Sequence, residues 1–250
     1  MDRLIYTAVS GMASSMVRQR MIASNMANAQ TIGFRAEVMT FTPVTIDGEQ
    51  LDVRALNLAE VKGASMQEGA MTRTGRDLDI AASGETLLTV QAPDGGEAYT
   101  RRGDLSVSAT GVLQNGEGLA MIGENGPVTV PLGFTVSIAP DGAVMTGNPA
   151  TPDQPAIQIE RLKLASWKGS RIEKDMAGLF RVPGADGTFG VLPADENGRV
   201  LTGTLEQSNV DPSAVLVEMV EAQRLFDIRT KLIATAKDLD ENSASLMRMS

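Results

Sequence analysis

The stretch Asp211-Pro212-Ser213-Ala214-Val215-Leu216-Val217-Glu218-Met219-Val220-Glu221-Ala222-Gln223-Arg224-Leu225-Phe226 decides the fold, because it opens a long helix that nothing downstream interrupts. Asp211 can cap the helix with its carboxylate, and Pro212 suits the first turn, where its missing N–H would have had no partner. From there to Ser250 the chain contains no Gly and no further Pro. Leu225, Leu232, Leu239 and Leu246 recur at every seventh position, with Phe226, Ile233 and Met247 beside them. That heptad predicts a coiled-coil seam. Arg229 and Ser243 share the register of Ala222 and Ala236, which argues against a simple two-stranded zipper and for an interface shared by several helices.

At the other end Ile5, Ala8, Met12, Ser15, Gln19, Ile22, Met26 and Ala29 recur at spacings of three and four and form one helical face. The pattern stops at Ile32-Gly33, where glycine can take the left-handed conformation that closes a helix, giving a rod of about 40 Å. Between these ends the composition changes: 22 of the 25 Gly and 9 of the 11 Pro lie from Gly63 to Gly203. Tight-turn steps occur at Asp47-Gly48, Asp94-Gly95, Asn115-Gly116, Asn125-Gly126, Asp141-Gly142, Asp186-Gly187 and Asn197-Gly198. The segments Thr86–Val90, Leu105–Ala109, Val128–Val130, Phe134–Ile138 and Ile157–Leu164 read as short strands. The expected class is α+β, an all-β central domain with long N- and C-terminal helices pairing as a coiled-coil-like layer. The expected divisions are an N-terminal helix in 1–35, an extended connection in 36–75, a β-rich outer domain in 76–203 and a C-terminal helix in 204–250.

Cys and His are both absent, which excludes Cys/His zinc sites, thiolate nucleophiles, Ser-His-Asp triads and His-ligated haem together. No cofactor and no metal are expected. Lys and Arg number 22 against 31 Asp and Glu, a net charge of -9, which disfavours nucleic acid and anionic membranes as partners. Residues 1–35 carry one acid and four bases, while residues 211–250 carry seven acids and five bases, so the charges favour antiparallel pairing of the ends. Ser10, Gly11, Ser14 and Ser15 interrupt the apolar start, so a cleaved signal is not expected. Nowhere is there an apolar run of about 18 residues, so no membrane span is expected.

The segment Asn25-Met26-Ala27-Asn28-Ala29-Gln30-Thr31-Ile32-Gly33-Phe34-Arg35 closely resembles the signature of the bacterial flagellar axial proteins, the rod and hook family. Gly203-Thr204-Leu205-Glu206-Gln207-Ser208-Asn209-Val210-Asp211, followed by Met219-Val220-Glu221-Ala222-Gln223-Arg224, is similar to that family's C-terminal signature. Met1–Ala8, Glu97–Leu105 and Gly123–Val128 resemble a proximal-rod member, whereas Thr86-Leu87-Leu88 stands where the family often has Gly followed by aromatics. The resemblance implies a structural subunit of the basal-body rod, exported uncleaved by the flagellar type III apparatus. Its implied partners are copies of itself and other proximal and distal rod proteins, in a helical axle that carries torque across the periplasm.

Subunit contacts are accordingly expected at Ile5, Met12, Met16, Ile22, Asn25, Met26 and Asn28 in the first helix. In the last helix they are expected at Met219, Ala222, Leu225, Phe226, Leu232, Ile233, Leu239 and Leu246. Methionines suit such a surface because flexible thioethers adapt to non-identical neighbours. Asn25 and Asn28, one helical turn apart, can bond the local helix end or a neighbour's backbone. Competing readings are another axial subunit (distal rod or hook-related), an adhesin through Arg102-Gly103-Asp104, or a glycan hydrolase using Asp77 and Asp79. Gly184–Gly190 lacks the Lys-Ser/Thr ending of a phosphate loop and reads as a turn. Trp167 is expected to pack within the β domain.

Overall fold

The computed structural model describes residues 2–45, 55–151, 154–175, 177–184 and 187–248. The chain is α+β: two helices, α1 (Asp2–Ala27) and α2 (Pro212–Arg248), enclose a central region made almost wholly of strands. It divides into two compact units. One comprises residues 1–28, 37–63 and 210–250, and the other residues 29–36 and 64–209.

In the helical unit α2 begins at Pro212, and the Asp211 carboxylate accepts from the Ser213 N–H at 2.8 Å. The N-terminal end of α2 lies against the C-terminal half of α1, since Met219, Ala222 and Gln223 line one groove with Gln19, Ile22 and Ala23. Further along, Arg229 reaches the Gly11 carbonyl and the Ser15 hydroxyl, so the helices run antiparallel. Val215 and Ala222 are buried and, with Arg229, recur at every seventh position. The line that meets α1 is therefore the register of Ala222 and Arg229; on the leucine line Leu225 is half-buried and Leu232 is 60% exposed. Strands Glu37–Thr45 and Ala55–Ala64 pair as a two-stranded sheet in the same unit. The Asp47-Gly48 step lies outside the described residues.

Helix α1 stops at Ala27, earlier than the periodicity predicts, and turns carry the chain to Gly33. Polar side chains intervene: Asn28 donates from Nδ2 to the Ser24 carbonyl at 2.9 Å, taking up an acceptor at the helix end.

The β unit is built on a six-stranded antiparallel sheet. Its path is Leu164–Ser166, Thr86–Gln91, Glu97–Thr100, Phe180–Pro183 and Glu173–Lys174, with Phe189–Gly190 also on Phe180–Pro183. A three-stranded sheet joins Thr135–Ile138, Ala143–Gly147 and Ile157–Arg161. Strand Thr86–Gln91 is buried on both faces: Leu88 and Val90 enter a core with Ile80, Leu105, Leu113 and Met121, and Leu87 enters another with Tyr99, Ala165, Phe180 and Leu192. Two faces to fill explain adjacent leucines at Thr86-Leu87-Leu88, because successive strand side chains point to opposite sides. Trp167 packs against the second core, within the β region as its sequence context implies.

The Tyr99 hydroxyl accepts from the Leu192 N–H at 2.6 Å, and burial pushes its pKa from 10.0 up to about 12. A raised tyrosine pKa stabilises the fold below pH 10.0 and loses that contribution as pH climbs towards about 12, because the unfolded chain releases the proton first. Scanning calorimetry is expected to show a falling unfolding temperature across that window. In Tyr99→Phe the fall is shallower, and about 1 kcal/mol is lost at neutral pH with the Leu192 partner.

Candidate assembly interface

The sequence-predicted contact residues divide into those that hold the helix pair together and those that face outward. Ile22, Asn25 and Ala222 are buried, and Met12, Met26, Asn28, Met219, Leu225, Phe226 and Ile233 are half-buried. Met16 at 58% and Leu232 at 60% are exposed. The side chains of Ile5, Leu239 and Leu246 lie outside the described residues. Beside the exposed members stand Val9 on α1 and Leu216, Val217, Val220 and Ile228 on α2, also exposed. Val9 flanks the face that the periodicity selects on α1, whereas the four on α2 fall outside its heptad line.

Asn25 binds the backbone of Glu37 on both sides, accepting from its N–H at 2.8 Å and donating to its carbonyl at 3.1 Å. Ser24 adds a bond to the Glu37 carboxylate at 2.9 Å. The buried amide thus substitutes for a strand partner and fixes the chain reversal that follows α1. Leaving a strand residue's two polar groups unpaired is costly, which accounts physically for an asparagine there.

In the β unit, residues of both terminal signatures meet around a buried carboxylate. Glu206 lies 2.6 Å from Arg35 and 3.3 Å from Arg101, and all three are at most 1% exposed. One Glu206 oxygen also accepts from the Gly69 N–H at 2.8 Å, and its carbonyl accepts from the Gly33 N–H at 2.8 Å. Arg101 donates to the Ala82 carbonyl at 2.5 Å and to the Gly84 carbonyl. Burial pushes the Arg101 guanidinium below its ordinary pKa, and the Glu206 carboxylate opposes that shift. Asn209 accepts from the Ala36 N–H at 2.7 Å and donates to the Ser65 and Gln67 carbonyls at 2.9 and 2.8 Å. Gly33 is required by two facts: its φ is 68°, and a Cβ there would stand 2.4 Å from the Arg101 carbonyl carbon. Sequence reasoning quoted Arg35, Glu206 and Asn209 within the signatures without pairing them. Charged residues inside otherwise turn-and-strand motifs were the available signal.

Most of the remaining candidate groups have structural partners. Arg102 and Asp104 close on each other through bonds of 2.8 and 3.0 Å, and a Cβ at Gly103 would lie 1.8 Å from the Ile80 carbonyl oxygen, so the tripeptide is shut. Asp79 is buried 3.4 Å from Arg76, while Asp77 is exposed. Gly184 bonds the Thr188 carbonyl at 2.8 Å in the connection between two paired strands. Among the described residues no helix is long and apolar enough to cross a membrane.

Three family models match along the chain: flagella basal body rod protein over residues 5–35, flagellar hook protein FlgE/F/G D1 domain over 81–146, and flagellar basal body rod FlgEFG protein C-terminal over 201–246. All three take in segments that converge on Glu206, and together they describe a structural protein of the flagellar rod. The chain belongs to the flagellar basal-body rod protein family and is FlgF-like within it. The FlgF proteins of Salmonella typhimurium and Escherichia coli are each 38% identical to it over 252 residues, covering 100% of both chains. FlgG of Bacillus subtilis is 30% identical over 267 residues, covering 99% of this chain and 100% of its own. The protein is a structural subunit of the basal body that assembles with other rod proteins, and it is not an enzyme.

Replacing Glu206 with Ala leaves two guanidiniums buried without their carboxylate and is expected to cost about 3–5 kcal/mol, read from urea unfolding followed by Trp167 fluorescence. Asn25→Ala strips both Glu37 backbone groups of their partner and is expected to cost about 1–3 kcal/mol. Circular dichroism at helical wavelengths should melt earlier in that variant.

Proposed function

We propose that this subunit occupies the proximal rod, stacking helically with copies of itself and with other proximal and distal rod proteins to carry motor torque across the periplasm. The supporting observation is the distribution of apolar side chains on the helices: Met16, Val217 and Leu232 are 58–60% exposed, while Ala222 and Ser15 are buried. Ile22 and Val215 are enclosed as well, yet those three large apolar side chains stay in the open, more apolar surface than an isolated helical hairpin needs to expose. Neighbouring helices covering that outer surface complete a coiled-coil-like layer, in which Met12, Met26, Met219, Leu225, Phe226, Ile233 and the more distal Leu239 and Leu246 also take part. Head-to-tail contacts that do not close into a ring build such a helical filament. The sequence divisions at 35, 75 and 203 separate this inner layer and its connection from an outer β domain. Delivery is by the flagellar type III apparatus without removal of a signal.

The match to a FlgG over nearly the whole chain favours one second reading, a different position along the same axial structure. Gold labelling of isolated basal bodies separates the two: label between the inner-membrane ring and the distal rod is expected, and label on the distal rod or hook would transfer the assignment.

The seam itself is tested with Leu232→Asp. Because Leu232 is exposed in the single chain, the substitution should change monomer stability by no more than about 0.5 kcal/mol, yet place a charge in the assembled layer at a cost of several kcal/mol. Normal expression and circular dichroism with loss of swimming are expected. Wild-type swimming would remove the outer face of α2 from the assembly surface.

A further inference from the structure

The β unit contains a strand that its core cannot do without and that arrives late in the sequence. Ile80, Ala81 and Ala82 are each fully buried, and among the described residues their ladder partner is Val200–Thr202. Directly after it, Thr204–Glu206 pairs with Met71–Arg73, and the Gln207 N–H continues the pairing to the Ala70 carbonyl at 2.8 Å. The approach leaves no slack, since a Cβ at Gly69 would lie 1.9 Å from the Gln207 carbonyl oxygen. The bonds that lock the segment are very distant in sequence: Gly69 and Glu206 are 137 residues apart, and Ala36 and Asn209 are 173.

Charge makes the order of events consequential. Arg101 follows strand Glu97–Thr100 of the main sheet and donates to Ala82 at 2.5 Å, so its guanidinium is enclosed where the main sheet meets the strand that pairs with Val200–Thr202. Arg35 is buried beside the same carboxylate, and its Nε and Nη1 atoms, like Nε of Arg101, have no hydrogen-bond partner among the described residues. Without Glu206 the core would enclose two cations and no adjacent buried anion, a state that desolvation strongly disfavours.

We propose that residues 200–209 are an electrostatic latch: the β unit remains open until this segment inserts, and the Glu206 carboxylate is the group that permits closure of the core. The chain is made from its N-terminus, so Arg35, Arg101 and the whole main sheet are synthesised before the latch. Closure is consequently withheld from the incomplete chain until residues 200–209 are available. This goes beyond the rod assignment and holds for the chain whatever its position in the basal body.

The test is refolding of the full-length chain from urea, with pulsed hydrogen exchange read by mass spectrometry. Amides of Leu87–Val90 and Ala98–Thr100 are expected to gain protection together with those of Leu205–Gln207. Protection of the main sheet about tenfold earlier than the latch would overturn the proposal. Glu206→Gln should slow folding by about tenfold with little change in unfolding rate, and acceleration of unfolding alone would place latch insertion after closure. The triple variant Arg35→Met, Arg101→Met, Glu206→Met removes the buried charges together, and its main sheet should then become protected ahead of residues 205–207. If the two regions stay synchronous in that variant, charge is not what couples them and the latch is not electrostatic.

Discussion

A single carboxylate, that of Glu206, stands between two guanidiniums that have no access to water. Buried ion pairs contribute little net stability over a well-packed apolar alternative, but removing one partner is severe, so such a group acts chiefly by demanding one arrangement of its neighbours. Here the demand reaches four stretches of chain. Arg35 brings the end of the first signature, Gly69 the segment before strand Met71–Arg73, Arg101 the residue after a central strand, and Glu206 the C-terminal signature. Ala82 and Gly84 join through the Arg101 guanidinium. A glycine at 33 and another at 69 let backbones pass where any side chain would collide.

The helical unit follows a different logic. Its interior holds Ile22, Val215, Ala222 and Ser15, while Met16, Val217, Val220, Ile228 and Leu232 remain exposed on the helices. The β unit satisfies its own core, with Leu88, Leu105, Leu113 and Met121 fully enclosed. One chain thus carries a part with an enclosed core of its own and a part with large apolar side chains in the open, the surface proposed to pack against neighbouring subunits.

Much of this was legible in local sequence. The Asp211-Pro212 start, the absence of Gly and Pro beyond it, and the glycine-rich middle each act over a few residues and give α2 and the β region directly. The end of α1 was misplaced by several residues because the decisive partners, Ser24 for Asn28 and Glu37 for Asn25, compete with helix propensity through side-chain geometry. The heptad leucines were visible, but which register met α1 was not, since that depends on Arg229 finding a carbonyl and a hydroxyl on the other helix. Least visible was the Glu206 site, whose members are separated by most of the chain and obey no periodicity.

The contact from Arg229 to Gly11 and Ser15 also bears on how the helix pair responds to force. Apolar side chains in contact resist separation but yield readily to sliding, because dispersion and burial have no preferred direction along a helix axis. A guanidinium bonded to a carbonyl and a hydroxyl does have one, because both acceptors sit at a fixed place along α1. Arg229 is therefore a shear pin, converting a surface that would creep under axial load into one that holds its place.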